Sequence, residues 1–422
     1  MKISAAADRS HPPIWLFGIL PIAGAVYSFT VVAMPFLLRR EGIPVGTIGG
    51  ISALALLPLP FQFAWAPIAD MLLSRRNWIL VGNLLGAMLL FVAVLLPRPK
   101  YLTLFVVLLF AGNIALSLSF TAIGGLMAVL LPDRVRSKAA GWFQAGNIGS
   151  ISFLGGAALW LIERTSLVHA AAGIALMSFL PSLSVLLIKE PRRSLAPDRA
   201  VFGVMFGEVA ALLKKRETWL GLLFFLSPVG AGAAYNLFTA IGVDYHASPG
   251  TVLWVTGLPG GVIVSIAGAL FGGAITDFFP RRVAYVFFGT LIALAAVVMA
   301  VAPLQPVTFS IGGLAYQFTT SMACAAGTAL GLELCGADPM TAGTRMAIFT
   351  GAINAPLSYM PWLDGLGYQT WGVRGLLGTD ACITLAAAAL LVVMARKLWR
   401  SDSRAVEILI SGEAVALGPL NE

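Results

Sequence analysis

The chain has 422 residues, of which 59% are hydrophobic and only 11% charged, with a net charge of +8. A soluble domain carries about 25% charged residues, so an ordinary cytosolic enzyme, a disordered chain and a disulfide scaffold are excluded. The apolar runs are long and do not alternate with polar residues, which also excludes an outer-membrane barrel.

Polar residues from Met1 to Pro13 lead straight into an apolar run with no small-residue cleavage site, predicting a first helix that is retained. Apolar runs bounded by charges, Gly or Pro then predict twelve spans, at 14–38, 47–69, 77–97, 101–131, 139–161, 165–188, 218–243, 251–275, 283–302, 307–334, 343–362 and 373–395. A span with its loop takes roughly 35 residues, so twelve fill the chain. The spans at 101–131 and 307–334 exceed a bilayer's need and must tilt, bend or protrude. Pro58, Pro228 and Pro356 predict kinks that neighbouring helices re-satisfy.

Of the 27 Lys and Arg residues, 21 fall on the side of the amino terminus. The other six are Arg39, Arg40, Arg98, Lys100, Arg164 and Arg374. The positive-inside rule then predicts both termini in the cytoplasm, in an inner-membrane protein. The basic clusters between apolar segments read as topology signals, and no nucleic-acid partner is expected. Cys324, Cys335 and Cys382 lack metal-ligand spacing and read as small packing residues.

The connection 189–217 divides the chain into a six-helix bundle at 1–188 and a second at 218–396, followed by a tail at 397–422. Within it, Val201 to Leu213 reads either as a helix lying on the inner leaflet or as a plain tether. The halves repeat. Tyr27 and Tyr235 stand 208 residues apart in matching stretches, Thr47 and Thr251 stand 204 apart, and Asp70 and Asp277 stand 207 apart. Parallel repeats related by an axis along the membrane normal are the architecture of a secondary transporter.

The stretch Gly273 to Arg282 has the spacing G-x-x-x-D-x-x-x-R-R, and a degraded copy runs from Ala66 to Arg76. It resembles the loop signature of the major facilitator superfamily. Further stretches are Pro35 to Gly42, Phe63 to Asp70, Leu130 to Asp133 and Ala342 to Ala347. Within that superfamily these are similar to the peptide–acetyl-coenzyme A transporter group, which includes AmpG-like muropeptide and siderophore permeases. The resemblance implies an all-α membrane protein of the major facilitator fold, with twelve transmembrane helices in two pseudo-symmetric six-helix bundles. Asp70, Arg75, Arg76, Asp277, Arg281 and Arg282 are the candidate gating residues, a latch of carboxylates and arginines at helix ends. The alternative is that Asp70 and Asp277 only solvate two helix ends. Many group members carry carboxylates on the fourth helix, whereas Phe120 to Gly125 has none.

The resemblance implies that helices one, four, seven and ten line the path. Their neutral polar residues, with those of helices five and eleven, form the candidate substrate cavity. These are Tyr27, Ser28, Asn113, Gln144, Asn147, Tyr235, Asn236, Thr239, Tyr316, Gln317, Asn354 and Tyr359. Thr30, Ser117, Thr319 and Thr320 belong to the same polar set. The competing reading of each is interhelical glue. Proton coupling would have to use Glu333, Asp380 or His169, all expected at the periphery, with Glu333 the candidate coupling carboxylate or a side chain that snorkels. His169 is expected to be satisfied by a backbone or hydroxyl partner. Gly149 and Gly155-Gly156 superficially resemble an antiporter motif but serve close packing equally well. No nucleophile elbow, zinc-protease or Walker motif occurs. The chain therefore reads as a transporter with no catalytic residue, cofactor or metal. Its partners are a small-molecule substrate, the lipid bilayer and a proton in the coupled case. Muropeptide-like or siderophore-like import leads; drug or metabolite efflux and a non-transporting receptor are the alternatives.

Overall fold

The computed structural model describes residues 12–65, 73–98, 100–131, 133–190, 214, 216–276, 279–335 and 342–411. Among these the regular structure is helical throughout. The described residues trace twelve spans in succession. The near side is taken as that of Pro12 and the connection after Glu190, and the far side as the opposite one.

The first span is bent by 52° between Leu16–Ala23 and Ala25–Arg40. The second is helical over Val45–Leu56 and then breaks into turns at 57–61. Spans three to six are Arg75–Leu95, Leu102–Leu130, Asp133–Arg164 and Leu167–Leu187. The seventh consists of Arg216–Leu226 and Tyr235–Ile241, with 227–234 unwound between them. The eighth is Pro249–Thr256 followed by Gly260–Thr276, and the ninth and tenth are Arg281–Val301 and Pro306–Cys335. The eleventh begins as Ala342–Asn354 and resumes at Pro356. Non-helical Trp371 and Gly372 then turn the chain into the twelfth span.

The breaks have local causes. Pro58 lies in the turns of the second span, Pro228 in the unwound stretch of the seventh, and Pro356 just beyond the break in the eleventh. In the seventh span Gly230 and Gly232 adopt φ of +84° and +58°, which only glycine takes without strain. A broken helix in hydrocarbon leaves carbonyls that must find donors within the protein. Tyr359 donates its hydroxyl to the Leu226 carbonyl at 2.8 Å, and Tyr235 donates to the Thr256 carbonyl at 2.6 Å. Both acceptors sit where a helix stops.

Apolar side chains such as Met88, Ile263, Leu270 and Ile311 cover the outside of the bundle, more than half exposed, as lipid contact requires. Trp15, Trp219, Trp254 and Trp371 are also exposed, near span ends where amphipathic rings anchor a protein at the membrane interface. On the near side Glu190 accepts from the backbone N–H groups of Arg75 and Arg76 at 3.2 and 3.1 Å. A carboxylate thus caps the positive end of the third span and ties it to the end of the sixth.

The cysteines correct the packing expectation in part. Cys324 is half-buried, but Cys382 is exposed, because its face of the twelfth span points out of the bundle. Cys335 lies outside the described side chains.

Candidate functional site

The two halves meet at the far side through a polar cluster. Arg39, at the end of the first span, donates to the Asp244 carboxylate at 3.3 Å and to the Tyr368 hydroxyl at 3.0 Å. Tyr368, near the end of the eleventh span, donates to Asp244 at 3.0 Å. The side chains of Arg39 and Asp244 are 26% and 21% exposed, so water screens the pair only partly. Burial pushes the Asp244 carboxyl above its usual range, while Tyr368 and Arg39 pull it back. Arg39 and Asp244 are 205 residues apart, close to the repeat offset. A pseudo-two-fold axis brings such positions face to face, and opposite charges make that meeting attractive.

Two glycine contacts also join the halves. A Cβ on Gly49 of the second span would strike the Pro361 carbonyl oxygen and lie 3.2 Å from Gly365 Cα of the eleventh. A Cβ on Gly156 of the fifth span would lie 2.7 Å from Gly257 Cα of the eighth. Gly155 instead packs on Val32 and Ser28 of the first span. Both neighbours of the suspected antiporter motif therefore serve helix packing.

Deeper, a hydrogen-bonded group joins the halves. Gln317 donates through Nε2 to Ser152 Oγ and Ser265 Oγ, both at 2.6 Å, and to the Gly261 carbonyl at 3.2 Å. Ser152 Oγ also lies 3.4 Å from the Tyr235 hydroxyl. Ser152 belongs to the first half, and Gln317, Ser265 and Tyr235 to the second. Asn113 stands 204 residues before Gln317 and plays a related part, donating to the Ala55 carbonyl of the second span at 3.0 Å. The Oε1 of Gln317, Nδ2 of Asn236 and Oγ1 of Thr239 are buried without a protein partner. Polar atoms in that condition seek a ligand, water or a new partner when the halves move.

The other residues singled out in the sequence fall in several places. Tyr27 is partly exposed and lies near Tyr235 and Cys324. Ser28 donates to the Gly24 and Ser150 carbonyls, and Asn113 also donates to Leu109, so both join helices of the first half. Thr30 donates to Val26. Ser117 accepts from the Trp65 indole at 2.7 Å. Asn147 and Asn354 are half-buried, as are Thr319 and Thr320, whose hydroxyls return to their own helix. His169 is exposed, with Nδ1 2.6 Å from Ser166 Oγ, the hydroxyl partner expected of it. Arg75 is buried, Arg281 reaches the Ala329 carbonyl at 3.5 Å, and Arg282 is exposed. Asp70 and Asp277 lie outside the described residues, and the side chains of Gln144 and Glu333 outside the described side chains.

Asp380 requires a correction. It was expected at the periphery, yet it is 2% exposed and accepts a hydrogen bond from the Tyr316 hydroxyl at 2.9 Å. The loop before it consists of little more than Trp371 and Gly372, so Asp380 sits about two turns inside. Asp364, absent from the sequence-derived set, is 0% exposed and neither of its carboxylate oxygens has a partner. Ser152, Ser265, Asp244 and Tyr368 were missed as well. Their signal is an ordinary polar side chain in or beside an apolar run, and only the assembled bundle pairs them.

Twelve spans in two halves, joined through a polar interface, have the architecture of a membrane transporter. The family profile described as Major Facilitator Superfamily matches residues 16–329. The chain belongs to that superfamily. Similar solved folds include a D-xylose-proton symporter, with a TM-score of 0.69 and 15% identity, over 89% of this chain and 96% of that one. A point mutant of the nucleoside transporter NupG gives 0.65 and 13%, over 90% and 98%. A bacterial homologue of the human lysosomal transporter Spinster, inward-facing and unoccupied, gives 0.60 and 15%, over 90% and 94%. No curated protein matches the sequence.

Proposed function

We propose that this chain moves a polar organic solute across the inner membrane by alternating access, with both termini in the cytoplasm. The observation that carries the reading is the Arg39–Asp244–Tyr368 cluster. It holds two halves together at one side through contacts that water can replace. The 21-to-6 distribution of basic residues supports a cytoplasmic near side. Three of the six far-side cations face carboxylates, Arg39 on Asp244, Arg40 on Glu163 and Arg98 on Glu41, which lowers their effective charge further.

The solute class follows from the chemistry of the interface. Tyr27, Tyr235, Asn236 and Gln317 offer hydroxyls, amides and ring faces and no fixed charge. Such a set suits a sugar-bearing or chelate-like molecule, and the resemblance to muropeptide and siderophore permeases favours the same class. The names of similar folds, a xylose symporter and a nucleoside transporter, point to polar neutral cargo too.

The test is a cysteine at Tyr27 in a chain otherwise free of cysteine, in sealed vesicles of each orientation with a membrane-impermeant maleimide. Tyr27→Cys should react from the cytoplasmic face in the resting protein and from the outer face once the far side opens. Protection from both faces under every condition would leave no pathway and favour a receptor.

A further inference from the structure

Two carboxylates are buried side by side in the second half, and the solute pathway described above uses neither. Asp364 lies on the eleventh span and Asp380 on the twelfth. They stand seven residues before Trp371 and eight after Gly372, so the hairpin places them at the same depth. The two helices touch tightly at Gly367 and Gly375, whose backbones leave no room for a Cβ. Asp380 is supported by the Tyr316 hydroxyl from the tenth span, and Ala234 of the unwound seventh lies beside it. Asp364 is 0% exposed, both its oxygens are bare, and the charge it faces is Asp380.

The elements packed around them supply no counter-charge at this depth; the ninth span carries Arg281, Arg282 and Tyr285 only in its first turns, at the near end. The second span carries no titratable residue over Val45–Leu56. The seventh offers only the Tyr235 phenol over Tyr235–Ile241, and the tenth offers Tyr316. Arg39 and Asp244 engage Tyr368, one turn beyond Asp364, and Arg374 is exposed. Two carboxylates enclosed together without a cation do not both ionise. Asp380 has the Tyr316 hydroxyl to stabilise a negative charge and Asp364 has no donor, so the proton belongs on Asp364.

We propose that Asp364 and Asp380 form a proton-binding site that is occupied while the far side is closed. The proton comes from water and forms an O–H bond on an Asp364 carboxylate oxygen. When the first and eleventh spans part at Tyr368, water reaches Asp364, the O–H bond breaks and the proton returns to the far-side solution. Closure then requires reprotonation from that same solution, which couples the gate to the pH of the far side. A proton fits better than a metal ion, because the described residues hold no group of three carboxylate, His or Cys ligands here. Binding of the proton stands by itself; only its use in coupling rests on the alternating-access reading.

The experiment uses purified full-length protein in neutral-lipid nanodiscs and needs no solute. Infrared difference spectra, recorded against pH, follow the stretch of a protonated carboxylic acid. In parallel, spin labels at Thr47→Cys and Val243→Cys report the separation of the halves at the far side. The parent protein should show a buried acid band at neutral pH and a closed fraction that falls as pH rises. Asp364→Asn should abolish that band, and its closed fraction should no longer respond to pH. Asp380→Asn should keep the band, since Asp364 remains fully buried with no cation beside it. A band that survives Asp364→Asn, or that responds to sodium and not to pH, overturns the proposal. Gate opening that ignores pH in the parent overturns the coupling while leaving alternating access intact. A gate that never opens counts against the transport reading itself.

Discussion

Arg39→Glu should hold the far side open and slow transport at least tenfold. The substitution places a carboxylate where Arg39 now lies 3.3 Å from Asp244. Unit charges about 4 Å apart interact by about 4 kcal/mol at an effective dielectric near 20. Partial exposure reduces this, but about 1.4 kcal/mol already shifts an equilibrium tenfold. Tyr368 loses its donor from Arg39 as well. The exchanged pair Arg39→Glu with Asp244→Arg should recover much of the closure, because the attraction is restored with its direction reversed. Uptake into vesicles, together with accessibility of Tyr27→Cys from the far side, reads both outcomes. Equal activity of parent and Arg39→Glu would show that the cluster is incidental to the cycle.

Gly49→Val should have an effect as large by a steric route. Its Cβ meets the Pro361 carbonyl of the other half, and a carbonyl in a helix has no rotamer by which to move away. Overpacking of this kind typically costs about 1–3 kcal/mol. The halves relieve it simply by parting, so the variant should fold normally and stay open at the far side. Gly50→Val is the matched control: its Cβ comes no nearer than 4.0 Å to Trp362. Melting temperatures in detergent should be alike for the two variants, while transport should fail only at position 49. Loss of transport in both, or in neither, would remove the Gly49–Pro361 contact from the closing mechanism.

Much of this architecture is legible in the sequence, because hydrocarbon imposes it. Apolar length alone marks the spans, and Pro58, Pro228 and Pro356 mark where three of them break. The repeat offset predicts which residues become equivalents, such as Tyr27 with Tyr235. What the offset does not show is that equivalents meet across the axis. Arg39 therefore reads as a loop charge, and its pairing with Asp244 needs the folded bundle.

The buried carboxylate of Asp364 was obscured by a boundary. Ending the eleventh span at residue 362 leaves Asp364-Gly365 looking like a turn, since Gly and Asp are the usual turn residues. In the bundle those glycines allow close approach to the second and twelfth spans, and the helix runs on to Trp371. Asp380 fails for another reason: its span is placed at 373–395, and the roughly two turns of helix before it already carry it into the bundle. The hydroxyl network failed differently. Ser152 and Ser265 carry no signal beyond being serines in apolar runs, and their function comes from Gln317 reaching both.

In a transport cycle the far side of this protein opens and closes. Distances between spin labels at Thr47→Cys and Val243→Cys, measured in liposomes, address it most directly. Thr47 starts the second span and Val243 follows the seventh, so the pair spans the two halves, and both positions are exposed. Two populations are expected, the shorter one matching the closed Arg39–Asp244 arrangement, with Arg39→Glu shifting weight to the longer. A single short distance, the same in the parent and in Arg39→Glu, would contradict it.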